Sequence, residues 1–161
     1  MTDLTPYEAL RSTKLAAELT DDQCRVLAGL VTLRDLNQGE TLVAEGVVDN
    51  HLYVILQGDL AVIKNAGTDA AETLFTLGGG DFVGELSFID NKPHSATLTT
   101  ASEESVVLKI DRNDFDKFVV RYPNAGFKVL MNVVQDISQL VRRMNSQYVD
   151  MAGYVFGRTK R

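Results

Sequence analysis

The spacing of apolar positions divides this chain into a helical opening, a long run of short strands and a helical close. Thr5, Pro6 and Glu8 spell an N-cap, a proline at the first helical position and a capping acid three residues on. Thr20 with Asp21, Asp22 and Gln23 repeats that signal, and Leu19 is placed to staple onto Cys24, so two short helices are expected before about Gly29. From Val31 the period becomes that of strands, over residues 31–33, 41–43, 52–56, 60–64, 73–77, 95–100 and 105–110. Eight of the twelve glycines fall between Gly39 and Gly84, which puts the turns among these strands. Gln57, Gly58 and Asp59 separate LYVIL from LAVIK at hairpin spacing, and residues 67–72 read as a looser turn. Short strands at regular intervals predict a mainly β domain, a sandwich, jelly roll or barrel, with flanking helices.

Helix returns at Asp111, a capping residue with Asp114 three positions on, and stops before Pro123. In the last helix Phe127, Leu130, Val134, Ile137, Val141, Met144 and Tyr148 alternate intervals of three and four residues, a heptad seam. Val129, Val133 and Leu140 widen the apolar face enough for one side to pack on the sheet while the seam meets a second copy, which predicts a homodimer. The expected organisation is helices over 1–30, the β section over 31–110, C-terminal helices over 111–149 and a basic tail over 150–161.

A chain of 161 residues suits one domain with a full core. Its net charge of -6 argues against nucleic acid as the main partner, although Arg142, Arg143, Arg158, Lys160 and Arg161 face only Asp150 in the last twenty residues. No apolar run approaches a membrane span, and Glu8, Arg11, Lys14 and Glu18 stand where a signal peptide would be apolar, so the cytoplasm is the expected compartment. Cys24 is the only cysteine, which excludes an internal disulfide and a multi-thiolate metal site, and reads as a small buried apolar residue. The only histidines, His51 and His94, form no H-x-H or H-E-x-x-H pattern, and G-x-S-x-G is absent, so neither a metal centre nor a catalytic serine is expected. His51, just before Leu52, reads as a rim residue.

Special residues concentrate in one segment, L-G-G-G-D-F-V-G-E-L-S-F-I-D-N-K-P-H-S-A-T-L-T-T from Leu77 to Thr100. Gly84, Glu85 and Leu86 are placed to open a short helical turn whose free N–H groups suit a phosphate. A carboxylate there repels an anion unless it accepts hydrogen bonds from ribose hydroxyls, and that combination suggests a nucleotide. On these residues the chain resembles the cyclic-nucleotide-binding domain of catabolite activator proteins and kinase regulatory subunits. In that family a β-roll carries a phosphate-binding cassette of the form F-G-E-L, a variable loop, then P-R-S/A-A-T. Asp81, Phe82, Gly84, Glu85, Leu86, Pro93, Ser95, Ala96 and Thr97 match it, with Val83 inserted. Gly39, Gly46, the YVILQGDLAVI stretch and IDRNDF extend the match over roughly residues 19–144.

The resemblance implies a jelly-roll-like β-roll, with the cassette over 78–97, N-terminal helices and a long C-terminal dimerisation helix. It implies that Glu85 binds the ribose 2′-hydroxyl, that Gly84, Leu86 and Ala96 offer backbone groups, and that Ser95 touches the cyclic phosphate. His94 stands where the family has its phosphate-pairing arginine, and an imidazole brings one donor where a guanidinium brings a fork and a permanent charge. Asn132, Gln135, Gln139 and Asn145 are polar candidates for the base on the last helix. About a dozen residues follow Tyr148, too few for a helix-turn-helix, so the output is expected through a protein partner, without direct DNA binding and without a membrane. Three readings follow: a non-enzymatic regulatory sensor of cyclic AMP, cyclic GMP or another cyclic nucleotide; a sensor of another anionic ligand; and a ligand-free dimeric adaptor. None requires a cofactor.

Overall fold

The computed structural model describes residues 3–156, arranged as two four-stranded antiparallel sheets flanked by helices. Helices α1 (Pro6–Arg11) and α2 (Asp21–Ala28) start at Thr5 and Thr20, both with complete capping boxes. A 3₁₀ turn at Lys14–Ala16, absent from the sequence reading, joins them. The strands are β1 (Val31–Asn37), β2 (Thr41–Val43), β3 (His51–Gln57), β4 (Leu60–Lys64), β5 (Glu72–Leu77), β6 (Phe82–Val83), β7 (Thr97–Thr100) and β8 (Glu104–Asp111). Between β6 and β7 lies α3 (Glu85–Asp90), and α4 (Arg112–Arg121) and α5 (Pro123–Phe156) close the chain. Asp111 caps α4, its carboxylate accepting from the Asn113 and Asp114 amides. The two sheets run in the orders β1-β8-β3-β6 and β2-β7-β4-β5.

Strand β3 is buried on both faces, which explains why LYVIL lacks polar alternation. Leu52 and Val54, with Leu108 and Ile110 of β8, face a core built with the helices. Tyr53 and Ile55, with Val107, face the interior between the sheets beside Leu36, Leu60 and Leu98. Phe88 of α3 reaches into the helical core, 5.6 Å between centroids from Phe115, which ties the cassette to α4. Cys24 is fully buried there.

Gln57, Gly58 and Asp59 do not make a hairpin. Strands β3 and β4 belong to different sheets, and the true hairpin is β4–β5 across the looser turn, with Leu60 opposite Leu77 and Lys64 opposite Glu72. The register of β3 on β8 slips between Ile55 and Gln57, and a bulge of that kind bends a strand out of its sheet. Gly58 completes the crossing at φ +79°, where a Cβ would press on Ser105 Oγ and lie 2.5 Å from the Glu104 carbonyl oxygen.

A crowded corner and an open one separate steric from conformational cost. Gly67→Ala, at φ +79° with nothing near, is expected to cost about 1 kcal/mol. Gly58→Ala meets backbone as well and is expected to cost roughly 3 kcal/mol or more. Urea denaturation of both variants checks this, and equal midpoints would mean that crowding at Gly58 is not a constraint.

Candidate functional site

A cavity of about 580 Å³ opens between the β2-β7-β4-β5 sheet, α3 and α5. Gly84, Glu85, Leu86, His94, Ser95 and Ala96 all line it, so the start of α3 and the loop before β7 converge on one space. Apolar side chains make most of the remaining wall, among them Val62, Leu74, Leu98, Leu140 and Met144. Leu140 and Met144 are what α5 contributes to the wall. The polar candidates of that helix do not line it: Asn132 donates to the Lys14 carbonyl at 2.8 Å, and Gln135, Gln139 and Asn145 are exposed.

Gly84 is the N-cap of α3, at φ +76°, ψ 8°. A Cβ there would lie 2.6 Å from the His51 carbonyl oxygen, so glycine is what lets the cassette cross β3 this closely. Glu85 begins the helix and is buried at 9% exposure, with no side-chain hydrogen bond to another residue among those described. Burial raises its pKa from the ordinary value and the buried Asp136 of α5 adds to the rise, against a bond from its own backbone amide and the nearby His94. Burial likewise raises Asp136, which Lys14 Nζ offsets from 3.6 Å. A buried carboxyl bonded only by its own amide among the described residues keeps acceptor capacity for hydroxyl donors.

The other wall is clasped from two sides. The His94 amide donates to the Val47 carbonyl at 2.9 Å, and the Gly46 amide returns a bond of the same length to the His94 carbonyl. Lys64 Nζ donates to the Ser95 carbonyl at 2.7 Å while pairing with Glu45, whose other oxygen accepts from the Asn65 amide. Lys92, also on the wall, lies 3.6 Å from Asp90. Both wall lysines therefore carry carboxylate partners.

His94 is buried at 8% exposure and directs Nε2 to Asp49 Oδ1 at 2.8 Å. Asp49 also accepts from Tyr53 Oη at 2.9 Å and from the His51 amide at 3.2 Å. Burial pushes its pKa up, but these bonds outweigh burial and hold it at about 2. Burial and Asp49 together push the Tyr53 phenol up. His51 is more than a rim residue: Nδ1 lies 3.6 Å from Asp49 and Nε2 3.4 Å from Asp111. Asp49, Tyr53, Glu45 and Lys64 were missed as site residues. The turn residues around Asn50, at φ 54°, mark a bend in the sequence, but the partner forty-five positions on is visible only in the fold.

The apolar seam of α5 separates into two stripes. Ala125, Val129 and Val133 are buried on the domain, and Leu130 and Ile137 pack beside them. Phe127, Val134, Val141 and Met144 stay exposed, at 64%, 44%, 48% and 49%, and Met131, absent from the heptad reading, joins them. The side chain of Tyr148 and the basic residues Arg158, Lys160 and Arg161 lie outside the described residues. Among the described residues no helix is long and apolar enough to cross a membrane, and no three His, Cys, Asp or Glu side chains group as metal ligands do.

Comparison with known proteins matches residues 33–122 to the profile of the family described as cyclic nucleotide-binding domain. The chain is 30% identical over 118 residues to the Pycsar effector protein PaPycTIR of Pseudomonas aeruginosa, covering 73% of this chain and 37% of that protein. It has the same identity, over 73% of its length, to 50% of a CRP-like cAMP-activated global transcriptional regulator of Mycobacterium tuberculosis. The chain thus spans half or less of these relatives. Among solved structures, a cyclic nucleotide-binding domain from Methylobacillus flagellatus superposes with a TM-score of 0.78 at 24% identity, over 91% of this chain and 82% of that one. The catabolite activator protein of Thermus thermophilus superposes at 0.66 and 22% identity, over 89% and 64%. These two similarities show the shared fold.

Glu85 carries a testable energetic signature. A carboxyl raised in the folded state contributes stability below its unfolded pKa, near 4.5, and loses it as pH rises through the folded value. Glu85→Gln removes the charge and keeps the shape. The variant is expected to melt above wild type at neutral pH, because the ionised form of a buried carboxyl is the disfavoured one. That difference should shrink as pH falls toward 4.5. Calorimetric melting across that range checks it, and a variant less stable at neutral pH would show that the ionised group is structural.

Proposed function

This chain belongs to the cyclic nucleotide-binding domain family, and we propose that it is a non-enzymatic regulatory sensor that holds a cyclic nucleotide between the roll and α5 and signals to a protein partner. The convergence of Gly84–Glu85–Leu86 and His94–Ser95–Ala96 on one cavity carries this reading. At about 580 Å³ the cavity falls within the range of roughly 300–1,000 Å³ usual for small-molecule sites. In this arrangement Glu85 accepts from the ribose 2′-hydroxyl, Ser95 and the backbone near Gly84 and Ala96 meet the phosphate, and Leu140 and Met144 cover the base. The family's domain is a regulatory one, and no cofactor enters the reading.

The output surface we propose is the exposed stripe of α5. Phe127, Met131, Val134 and Val141 share one face of a long helix, apolar and exposed, and Met144 lies at its edge toward the cavity. A second copy presenting the same stripe covers it symmetrically, giving a homodimer. Leu130 and Ile137 flank that contact rather than centre it, because they already pack on the helical core.

Two experiments test these statements. Isothermal titration calorimetry with cyclic AMP, cyclic GMP and a cyclic dinucleotide should show one cyclic mononucleotide per chain. Glu85→Ala should weaken it by about 1.5–3 kcal/mol, the range for bonds to a charged group. Binding of the dinucleotide alone, or of none, would move the reading to another anionic ligand or to a ligand-free adaptor. In sedimentation velocity the wild-type chain should run as a dimer and Val134→Lys as a monomer, since roughly several kcal/mol are lost when an ammonium is buried unpaired. A dimeric Val134→Lys would place the interface elsewhere.

A further inference from the structure

His94 meets the cavity under a constraint set by Asp49. Its Nε2 lies 2.8 Å from Asp49 Oδ1, while Nδ1 makes no hydrogen bond among the described residues. An imidazole has two neutral tautomers and one cation. With the proton on Nε2, the ring donates to Asp49 and leaves a lone pair on Nδ1, which repels an anionic oxygen. With the proton on Nδ1 instead, a lone pair on Nε2 faces the Asp49 carboxylate at hydrogen-bond distance. Two donors remain on Asp49 in that tautomer, Tyr53 Oη and the His51 amide, and both favour its ionised form, so the clash persists. Only the imidazolium satisfies both sides, donating from Nε2 to Asp49 and from Nδ1 to an anion.

We infer that the cavity takes up one proton from solvent with each anionic ligand, on His94 Nδ1, and that Asp49 is the positioning residue that imposes this exchange. The inference rests on reading the cavity as a cyclic-nucleotide site and adds its regulation: occupancy depends on pH at fixed ligand concentration. Glu85 lines the same cavity and works with the opposite sign, since hydroxyl donors favour its ionised form and release a proton at acid pH. Lys64 and Lys92 are paired with Glu45 and Asp90. Tyr53 remains a donor, its phenol pushed up by burial and by Asp49. His51 is the second imidazole beside Asp49, 3.6 Å away, with Asp111 on its far side, and needs its own control.

The experiment is titration calorimetry of the full chain with cyclic AMP and cyclic GMP, in two buffers of different ionisation enthalpy, at several pH values. Wherever the free ring is neutral, uptake should approach one proton per site. Affinity should then fall by about fivefold to tenfold from about pH 7 to about pH 8. His94→Arg should bind with no proton exchange and no pH dependence in that interval. Asp49→Asn admits the other neutral tautomer, so it should still bind while taking up well under half a proton, a change that a merely structural Asp49 would not produce. His51→Gln should keep the full uptake. Wild-type binding without proton exchange overturns the inference and leaves the cyclic-nucleotide reading intact, as does uptake that vanishes in His51→Gln but persists in His94→Arg. If neither nucleotide binds wild type or His94→Arg at any pH, both readings fall together.

Discussion

The antiparallel pairing of β3 with β8 is the contact on which the rest of the molecule depends. Each strand sends alternate residues into two different cores, Leu52, Val54, Leu108 and Ile110 toward the helices and Tyr53, Ile55 and Val107 into the roll. The same two strands hold the ends of the polar chain behind the ligand cavity. His51 opposite Asp111 is a β3–β8 pair, Asp49 precedes β3, and Asp111 caps α4. The site wall and the helices therefore share one foundation, and a displacement of either core is felt by the other.

An acidic chain with a buried Glu85 is an unusual host for an anion. Its geometry divides the task. Burial biases Glu85 on the cavity wall toward the neutral form, and Asp136 on α5 is biased the same way. Asp49, by contrast, is held ionised one residue removed from the cavity, with His94 between it and the space a ligand would fill. A permanent arginine would need none of this arrangement. With histidine in that position, the carboxylate behind it decides what the ring can offer.

Local signals were legible in the sequence wherever the physics is local. The capping residues Thr5, Thr20 and Asp111 each start a helix as read, because an N-cap is satisfied within three residues. The turn at Gln57–Asp59 was misread because glycine marks a change of direction without saying which sheet receives the next strand. Strand β6, two residues long, carries no period at all. On α5 the heptad pattern revealed an apolar helix, but the division between buried Val129 and Val133 and exposed Met131 and Val134 depends on where the sheet lies. The cassette residues carry a motif and line one cavity, whereas Asp49 had no such signature, since its contact is with a partner on another loop.

The pairing of β1 with β8 has a consequence for how the chain is made. Val31 lies opposite Ile110 and Asn37 opposite Glu104, so β1, made before the other seven strands of this domain, waits for the last of them before it pairs. Until then β1 and β3 are bare edges, rich in β-branched and aliphatic residues and prone to pair with other chains. Such distant pairings slow folding, because loop closure must be completed before the contacts repay it. The early helices α1 and α2, capped on their own account, give the nascent chain something local to form while it waits.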